Sequence, residues 1–263
     1  MGTTVAEIRG MLKAANAEEF AALERSLAAD SRKGVVAALE AARRRLAAEA
    51  SERERIEALY AFDLASIGEG GGVVIGLDEV GRGAVAGPLA VGAVALRYGE
   101  GERIADLNDS KQLSPEKREV VAAAVKNSAI GWAVCYIDPQ DIDSQGMSAS
   151  LREAFKGALG EVEAQGVKAD VVLVDGNPLG IDARERNVVK GDATSAAIAA
   201  ESVVAKVERD ALMCKLSSAF PQYRFSDNKG YAAPDHIEAI RAYGLTSVHR
   251  ASFCRSFMQE SLF

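Results

Sequence analysis

Two short apolar segments of this chain each end in a carboxylate, and this pattern limits the folds that the chain can adopt. Residues 73–77 are followed by Asp78 and Glu79, and residues 171–174 are followed by Asp175. Short apolar runs without alternation are typical of strands buried on both faces. Because ligands of α/β proteins bind at the carboxyl ends of strands, these acids are candidates for a shared site.

The segments around these two strands alternate between strand and helix patterns. Ser114 followed by Pro115 is typical of a helix start, since Ser caps the first turn and Pro fits the first helical position. We predict further strands at 88–96 and 130–137, and helices at 147–164, from residue 192 to about 220, and at 234–243. This order predicts an α/β fold, a mixed β-sheet flanked by helices.

The first 67 residues are interpreted as a helical extension. Thr4 with Glu7, and Asn16 with Glu19, have the spacing of capping boxes, and a third helix is predicted from about residue 31. The extension carries no catalytic motif, so a packing role and a role in binding substrate or a partner both stay open. The predicted divisions are an extension over 1–67, a glycine-rich linker over 68–72, a catalytic domain over 73–254 and a C-terminal tail over 255–263.

Net charge argues against a general nucleic-acid coat. The chain has 38 Asp and Glu against 31 Lys and Arg, which gives a formal net charge of −7. Residues 68–183 have an excess of acids, whereas residues 184–263 have a small excess of basic side chains. A polyanion would therefore need a local basic patch or bound cations.

The cysteines and histidines argue against several types of site. Cys135, Cys214 and Cys254 are odd in number and widely spaced, so neither a disulfide framework nor a structural zinc site is expected. His236 and His249 are the only histidines, which disfavours chemistry built on several imidazoles. The N-terminus has no secretory signal and no apolar run approaches ~18 residues, so we expect a cytoplasmic protein without a membrane span.

Four carboxylates are the candidate catalytic and metal-binding residues: Asp78, Glu79, Asp175 and Asp192. From their local sequence alone, the first pair could also be a solvated turn, and Asp192 could be a helix cap. A site made of oxygen ligands suits Mg²⁺ or Mn²⁺ rather than zinc. Two such ions ~3.5–4 Å apart can activate water and stabilise the leaving oxygen in phosphodiester cleavage without a histidine base.

Two loop motifs are candidate substrate contacts. Gly81, Arg82 and Gly83 follow the first acids, and the glycines would let the main chain approach a sugar or phosphate closely. Taken alone, this motif could also be a tight turn. Ser110 and Lys111 precede a helix start, where a phosphate can be bound, although an exposed loop is an equal alternative.

The net-basic C-terminal part supplies the remaining candidates. Lys190 and Lys229 could face a phosphate, and Tyr231 could pack on a sugar or a base or be half-buried in the core. His249 and Arg250 could contact a phosphate or pack together, and the two interpretations cannot be separated by sequence.

Seven strings of the chain together resemble the bacterial ribonuclease HII family, in that family's order. They are GLDEVGRGAVAGP (76–88), LNDSKQLSPEKRE (107–119), LVDGN (173–177), VKGDATS (189–195), AAESVVAKVERD (199–210), NKGYAAPDHIEAI (228–240) and VHRASF (248–253). The resemblance implies an RNase H-like fold and a metal-dependent endonuclease. Its expected substrates are RNA–DNA hybrids and single ribonucleotides in duplex DNA, cut on the 5′ side to leave a 3′-hydroxyl and a 5′-phosphate.

The resemblance also implies roles for individual residues. The family's acidic positions fall on Asp78, Glu79, Asp175 and Asp192, its ribose-recognising glycine-arginine-glycine on residues 81–83, and its junction tyrosine on Tyr231. The 2′-hydroxyl is the local mark of a ribonucleotide, and close backbone approach can recognise it without reading the base. The sister ribonuclease HIII family is disfavoured, because it lacks this glycine-arginine-glycine motif and typically has a sheet-containing N-terminal domain.

Four positions depart from the family pattern: Ala84, Thr194, Ala232 and Ser247. None of them removes an acid, the glycine-arginine-glycine motif or the tyrosine. We therefore expect activity to survive, and Thr194 in place of a common Lys puts one phosphate contact in doubt.

The last five residues resemble the short peptides that bind bacterial sliding clamps. Gln259 would anchor polar contacts, while Leu262 and Phe263 would fill an apolar pocket. The alternative is an apolar tail folded onto its own domain.

Two other functional classes are weighed against the nuclease. A nucleic-acid-binding protein with an inactive site is disfavoured by the complete set of four acids. A nucleotide-binding loop is disfavoured because residues 76–83 lack the G-x-G-x-x-G spacing and a Walker lysine. Nothing in the sequence demands more than a monomer.

Overall fold

The computed structural model describes residues 3–68, 70–99 and 103–258, and its contacts divide the chain into two compact units. The first is Met1–Glu57 and the second is Ala58–Phe263. The last residues of the third helix, from Ala58 onwards, therefore belong to the second unit. Along these described ranges, no helix is both long and apolar enough to cross a membrane.

The first unit is helical, as predicted. It comprises α1 (Val5–Ala14), α2 (Ala17–Ser26) and the first part of α3 (Lys33–Ile67). Both predicted capping boxes are confirmed: the Glu7 amide donates to the Thr4 hydroxyl at 3.3 Å, and the Glu19 amide donates to Asn16 Oδ1 at 2.9 Å. The helices bury a shared apolar core that includes Ile8, Leu12, Phe20 and Val35.

The second unit is built on a five-stranded mixed sheet, which confirms the predicted fold class. Its strands are β1 (Gly72–Val80), β2 (Leu89–Tyr98), β3 (Gly131–Ile137), β4 (Val171–Asp175) and β5 (Glu185–Val188), in the order β3-β2-β1-β4-β5. β1 and β2, and β2 and β3, are antiparallel, whereas β1, β4 and β5 are parallel. The sequence analysis missed β5, because this short edge strand reads Glu-Arg-Asn-Val and has no apolar run.

Two long helices cover the faces of the sheet. Helix α6 (Met147–Ala164) packs on β1, β2 and β3, and helix α7 (Ala196–Ala219) packs on β1 and β2. The approach of α7 is very close: a Cβ atom added to Gly76 would lie 2.2 Å from the carbonyl carbon of Ala197. Glycine at this position lets α7 lie directly on β1.

The remaining helices complete the second unit. They are α4 (Pro115–Ser128), α5 (Pro139–Gln145), α8 (Phe225–Asn228), α9 (Pro234–Tyr243) and α10 (Ala251–Met258). The predicted start of α4 is confirmed, since the Ser114 hydroxyl accepts a hydrogen bond from the Lys117 amide at 3.3 Å.

The predicted start of the long helix at Asp192 is wrong by four residues. Asp192 lies in a separate 3₁₀ turn, Gly191–Ala193, and α7 begins after Ser195, whose hydroxyl accepts from the Ile198 amide at 3.2 Å. Asp192 is therefore not the cap of α7, and its carboxylate is available for other contacts.

Candidate active site

Asp78 and Glu79 lie at the carboxyl end of the central strand β1. Asp78 is 9% exposed, and its Oδ1 accepts a hydrogen bond from the Glu79 amide at 2.6 Å. Burial, together with the nearby charges of Asp175 and Glu79, raises the pKa of Asp78 to about 8. Burial also raises the pKa of Glu79, although Arg82 opposes this shift.

The parallel pairing of β1 with β4 brings the third acid to the same edge of the sheet. Leu77 pairs with Val174, so Asp175 follows on β4 beside the end of β1. Asp175 Oδ1 accepts a hydrogen bond from the Gly191 amide at 2.6 Å, which holds the turn that carries Asp192. The structure thus gathers all four predicted acids at one end of the sheet.

Each acid has a local partner in this arrangement. Glu79 Oε1 is 3.1 Å from Arg82 Nη1, and Asp192 Oδ2 is 3.5 Å from Lys111 Nζ. Among the described residues, no three Asp, Glu, His or Cys side chains converge closely enough to form a finished metal cage. Because like charges repel, these carboxylates contact basic side chains and backbone amides and not one another.

The chemistry of the cluster nevertheless fits a hard divalent cation. The raised pKa of Asp78 shows that its carboxylate is poorly compensated where it lies, and a cation would stabilise its charged form. The donor atoms are all carboxylate oxygens, the type that Mg²⁺ and Mn²⁺ prefer.

A fifth carboxyl group lies behind this cluster, and the sequence analysis missed it. Glu201 on α7 is completely buried, and neither of its carboxyl oxygens has a hydrogen-bond partner. It packs over Gly92, which pairs with Asp78 across the β1–β2 ladder: a Cβ atom added to Gly92 would lie 2.1 Å from Glu201 Oε1. Burial and the charge of Asp78 raise the pKa of Glu201. An acid within the Ala- and Val-rich string 199–205 was the available signal.

The glycine-arginine-glycine loop is built against two buried arginines. Gly81 has φ of 82°, and a Cβ atom there would lie 2.1 Å from Arg209 Nε, so this position requires glycine. Arg250 donates from Nη1 to the Arg82 carbonyl at 2.9 Å and from Nε to the Gly87 carbonyl at 3.0 Å. Arg82 and Gly83 are exposed, so the loop presents its backbone to solvent next to the acids.

These contacts decide between the two interpretations of the His-Arg pair. Arg250 is completely buried and His249 is 4% exposed, so both pack inside the protein and do not face a phosphate. His249 Nε2 is 3.2 Å from His236 Nε2, and burial together with His236 lowers the pKa of His249 to about 4. Arg250 therefore braces the loop, whereas the His249 side chain contacts His236 and Thr246.

Tyr231 lies beside the same loop and is 40% exposed. Its ring centroid is 5.7 Å from Arg209 Cζ, and the preceding residue, Gly230, accepts hydrogen bonds from the Val85 and Ala86 amides at 2.9 and 3.1 Å. Lys229 is half-buried, and its ammonium group donates to the Ser226 carbonyl. The tyrosine ring is therefore presented on the loop side of the acids, whereas Lys229 is engaged locally.

The other three predicted phosphate contacts differ in their surroundings. Ser110 is 3% exposed and its hydroxyl is 2.9 Å from the Ser202 hydroxyl, so it ties its loop to α7 and does not face solvent. Lys111 is exposed at the edge of the acids. Lys190 is also exposed, and its backbone has φ of 56° in the turn before Asp192.

Comparison with known proteins identifies the family of this chain. The family model described as "Ribonuclease HII" matches residues 75–256, and the model described as "Ribonuclease HII N-terminal domain" matches residues 4–65. The ribonuclease HII of Ruminiclostridium cellulolyticum is 37% identical over 79% of this chain and 80% of its own length. That of Moorella thermoacetica is 41% identical over 78% of this chain and 98% of its own length.

Solved structures show the same fold. The ribonuclease H2 of Pyrococcus horikoshii OT3 is 28% identical with a TM-score of 0.60, over 70% of this chain and 96% of that chain. The ribonuclease HII in a PCNA complex from Archaeoglobus fulgidus is 25% identical with a TM-score of 0.59, over 72% of this chain and 98% of that chain. Bst-RNase HIII in complex with Mn²⁺, at 21% identity, has a TM-score of 0.56 over 73% and 70% and supports the fold alone. The chain therefore belongs to the ribonuclease HII family of divalent-metal-dependent endonucleases, which hydrolyse the RNA strand of RNA–DNA hybrids.

Proposed function

We propose that this enzyme cuts RNA–DNA hybrids and also cuts on the 5′ side of single ribonucleotides in duplex DNA, leaving a 3′-hydroxyl and a 5′-phosphate. The observation that carries the proposal is the contact between the loop and the acids, where Arg82 lies 3.1 Å from Glu79. A group that approaches the exposed backbone of Gly83 is therefore next to the carboxylates that would act on the adjoining phosphate.

The site residues would fall into two groups, one that acts in cleavage and one that recognises the substrate. Asp78, Glu79, Asp175 and Asp192 would hold two divalent cations, Mg²⁺ or Mn²⁺, which supply an activated water and stabilise the leaving oxygen when bound. The Gly81–Gly83 backbone would bind the 2′-hydroxyl, which marks the ribonucleotide independently of its base.

Three exposed side chains would orient the strand. The ring of Tyr231 would pack on the sugar at the RNA–DNA junction, because it is presented next to the loop that Arg250 braces. Lys111 and Lys190 would bind phosphates on either side of the turn that carries Asp192, since both are exposed there. Arg250 and His249 would act indirectly, through the position of the loop.

The proposal is tested with an end-labelled DNA duplex that carries one ribonucleotide, incubated with Mg²⁺, with Mn²⁺ or with a chelator. We expect a metal-dependent cut on the 5′ side of the ribonucleotide and no cut in an all-DNA duplex. Asp78→Asn should abolish cutting and retain binding. Cutting of a long hybrid without cutting of the single ribonucleotide would contradict the proposed junction recognition, and binding without any cutting would support an inactive binding protein instead.

We also propose that the C-terminal peptide, Gln259 to Phe263, binds the replication sliding clamp, which would recruit the enzyme to newly made DNA. These residues lie outside the described part of the chain, and the proposal rests on their sequence and on the archaeal relative solved with PCNA. Deletion of 259–263 should abolish binding to the purified clamp and leave cleavage of a short duplex unchanged. Equal clamp affinity with and without the peptide would refute it.

We expect the enzyme to act in the cytoplasm as a monomer.

A further inference from the structure

A cavity of about 450 Å³ opens beside the acidic cluster. Glu79 and Asp175 line it, and so do Arg82 and Arg152. We propose that this cavity is a subsite for the sugar–phosphate backbone of the cleaved strand, one nucleotide away from the bond that is cut. The inference rests on the proposed function and adds a residue, Arg152, that the sequence motifs do not contain.

The position of the cavity supports a backbone ligand. Because Glu79 and Asp175 belong both to the cavity wall and to the acidic cluster, a strand whose phosphate lies at the acids must continue past one side of them. The cavity borders both residues, and its volume is sufficient for one sugar and its phosphate. Bases of a duplex stay paired, so the part of the strand that can enter is its backbone.

The residues that line the cavity suit both parts of that ligand, the sugar and the phosphate. Leu151 and Phe155, on α6, form a buried apolar floor on which the face of a ribose could pack. The side chains of Ser148 and Asn177 add hydrogen-bonding groups at the rim. Two guanidinium groups in one small recess favour a phosphate, which they can bind through paired N–H donors.

Arg152 is the residue whose charge is most available for this role. Its Nε donates to the Leu179 carbonyl at 3.3 Å, which ties the side chain to the loop that follows Asp175. Within the described ranges Arg152 forms no salt bridge with a carboxylate, whereas Arg82 is paired with Glu79. A phosphate is therefore the partner that would compensate the charge of Arg152.

The first test compares Arg152→Ala with Arg97→Ala. Arg97 is an exposed arginine near the end of β2 that lies away from the acids. We expect Arg152→Ala to raise KM for a labelled hybrid about tenfold at nearly unchanged kcat, and Arg152→Lys to recover part of the loss. In binding assays with the Asp78→Asn protein, the added Arg152→Ala change should reduce the slope of log affinity against log salt by about 0.9, as expected for one lost phosphate contact. Equal behaviour of Arg152→Ala and Arg97→Ala would overturn the proposal.

The second test identifies the occupant. Substrates shortened one nucleotide at a time, from either end of the cleaved strand, should remove the difference between the wild type and Arg152→Ala once the nucleotide in the subsite is missing. If shortening has no such effect and adenosine 5′-monophosphate instead inhibits in an Arg152-dependent way, the cavity binds a free nucleotide and the backbone proposal is wrong. Failure of the wild type to cut any substrate would refute the proposed function rather than the subsite.

Discussion

The carboxylate of Asp63 accepts a hydrogen bond from the backbone amide of Ala197 at 2.9 Å, and this contact joins the end of α3 to the start of α7. The Tyr98 hydroxyl donates to the same oxygen, and Asp63 is completely buried. A carboxylate at the first turn of a helix compensates the free amides there. Since the turn that carries Asp192 directly precedes α7, the last residues of α3 help to hold the active site.

We predict that Asp63→Ala lowers the free energy of unfolding by about 2–4 kcal/mol, because it leaves the Ala197 amide and the Tyr98 hydroxyl buried without a partner. Urea denaturation checks this value, with Glu238→Ala, an exposed acid on α9, as the control. Asp63→Asn should recover part of the loss. A change as small as that of the control would show that the contact contributes nothing to stability.

We predict that Gly92→Ala destabilises the protein by about 1–3 kcal/mol, because the new methyl group would overlap Glu201 Oε1. Gly83→Ala is the matched control, since no atom lies within 4 Å of its added Cβ, and its stability should change by less than about 0.5 kcal/mol. The double variant Gly92→Ala/Glu201→Ala should be more stable than the sum of the single changes implies, and additivity in thermal unfolding would contradict the contact.

We predict that the metal-free protein loses stability as pH rises from about 4 to 8. The folded state raises the pKa of Asp78 from 3.8 to about 8, so it holds this proton more tightly than the unfolded chain does. The loss should be complete above the folded pKa. Urea denaturation in chelator across this range measures the slope, which should be shallower in Asp78→Asn, and an equal slope in both proteins would refute the assignment.

We predict that Lys111→Ala increases the affinity for Mn²⁺ by about two- to fivefold in the absence of nucleic acid, because the lysine ammonium is 3.5 Å from Asp192 and exposed. The same change should weaken binding to an RNA–DNA hybrid. Isothermal titration calorimetry measures the first effect, with Lys117→Ala, which removes an exposed pair with Asp106, as the control. An unchanged Mn²⁺ affinity would show that Lys111 does not compete for the acid.

Local patterns were sufficient to predict much of the fold and the acidic cluster. The apolar runs before Asp78 and Asp175 predict strands directly, because four or five consecutive apolar residues are typical of a strand buried on both faces. A carboxylate that follows such a run lies at the end of the strand. Local capping signals predicted the starts of α1 and α2 from residues three positions apart, and the start of α4 from the adjacent Ser114 and Pro115. In contrast, β5 has no apolar pattern and forms because β4 offers it a parallel edge.

Roles that depend on burial could not be read from local sequence. Ser110 and Arg250 look like phosphate contacts in sequence, yet the first faces Ser202 and the second holds the Arg82 carbonyl. Glu201 looks like one charged residue among many in a long helix, yet the glycine opposite it gives its side chain room beside Asp78. Each of these environments is created by a segment more than 85 residues away in the chain.

The residue types at strand ends and in loops therefore indicated the chemistry of this chain, because each type brings its own functional group to any position. Only the tertiary structure decided which of these groups face solvent and which support others. The packing of α7 and the contacts of Arg250 are the clearest cases. Burial and the pairing of distant segments are properties of the folded chain, and they separate direct contacts from supporting ones.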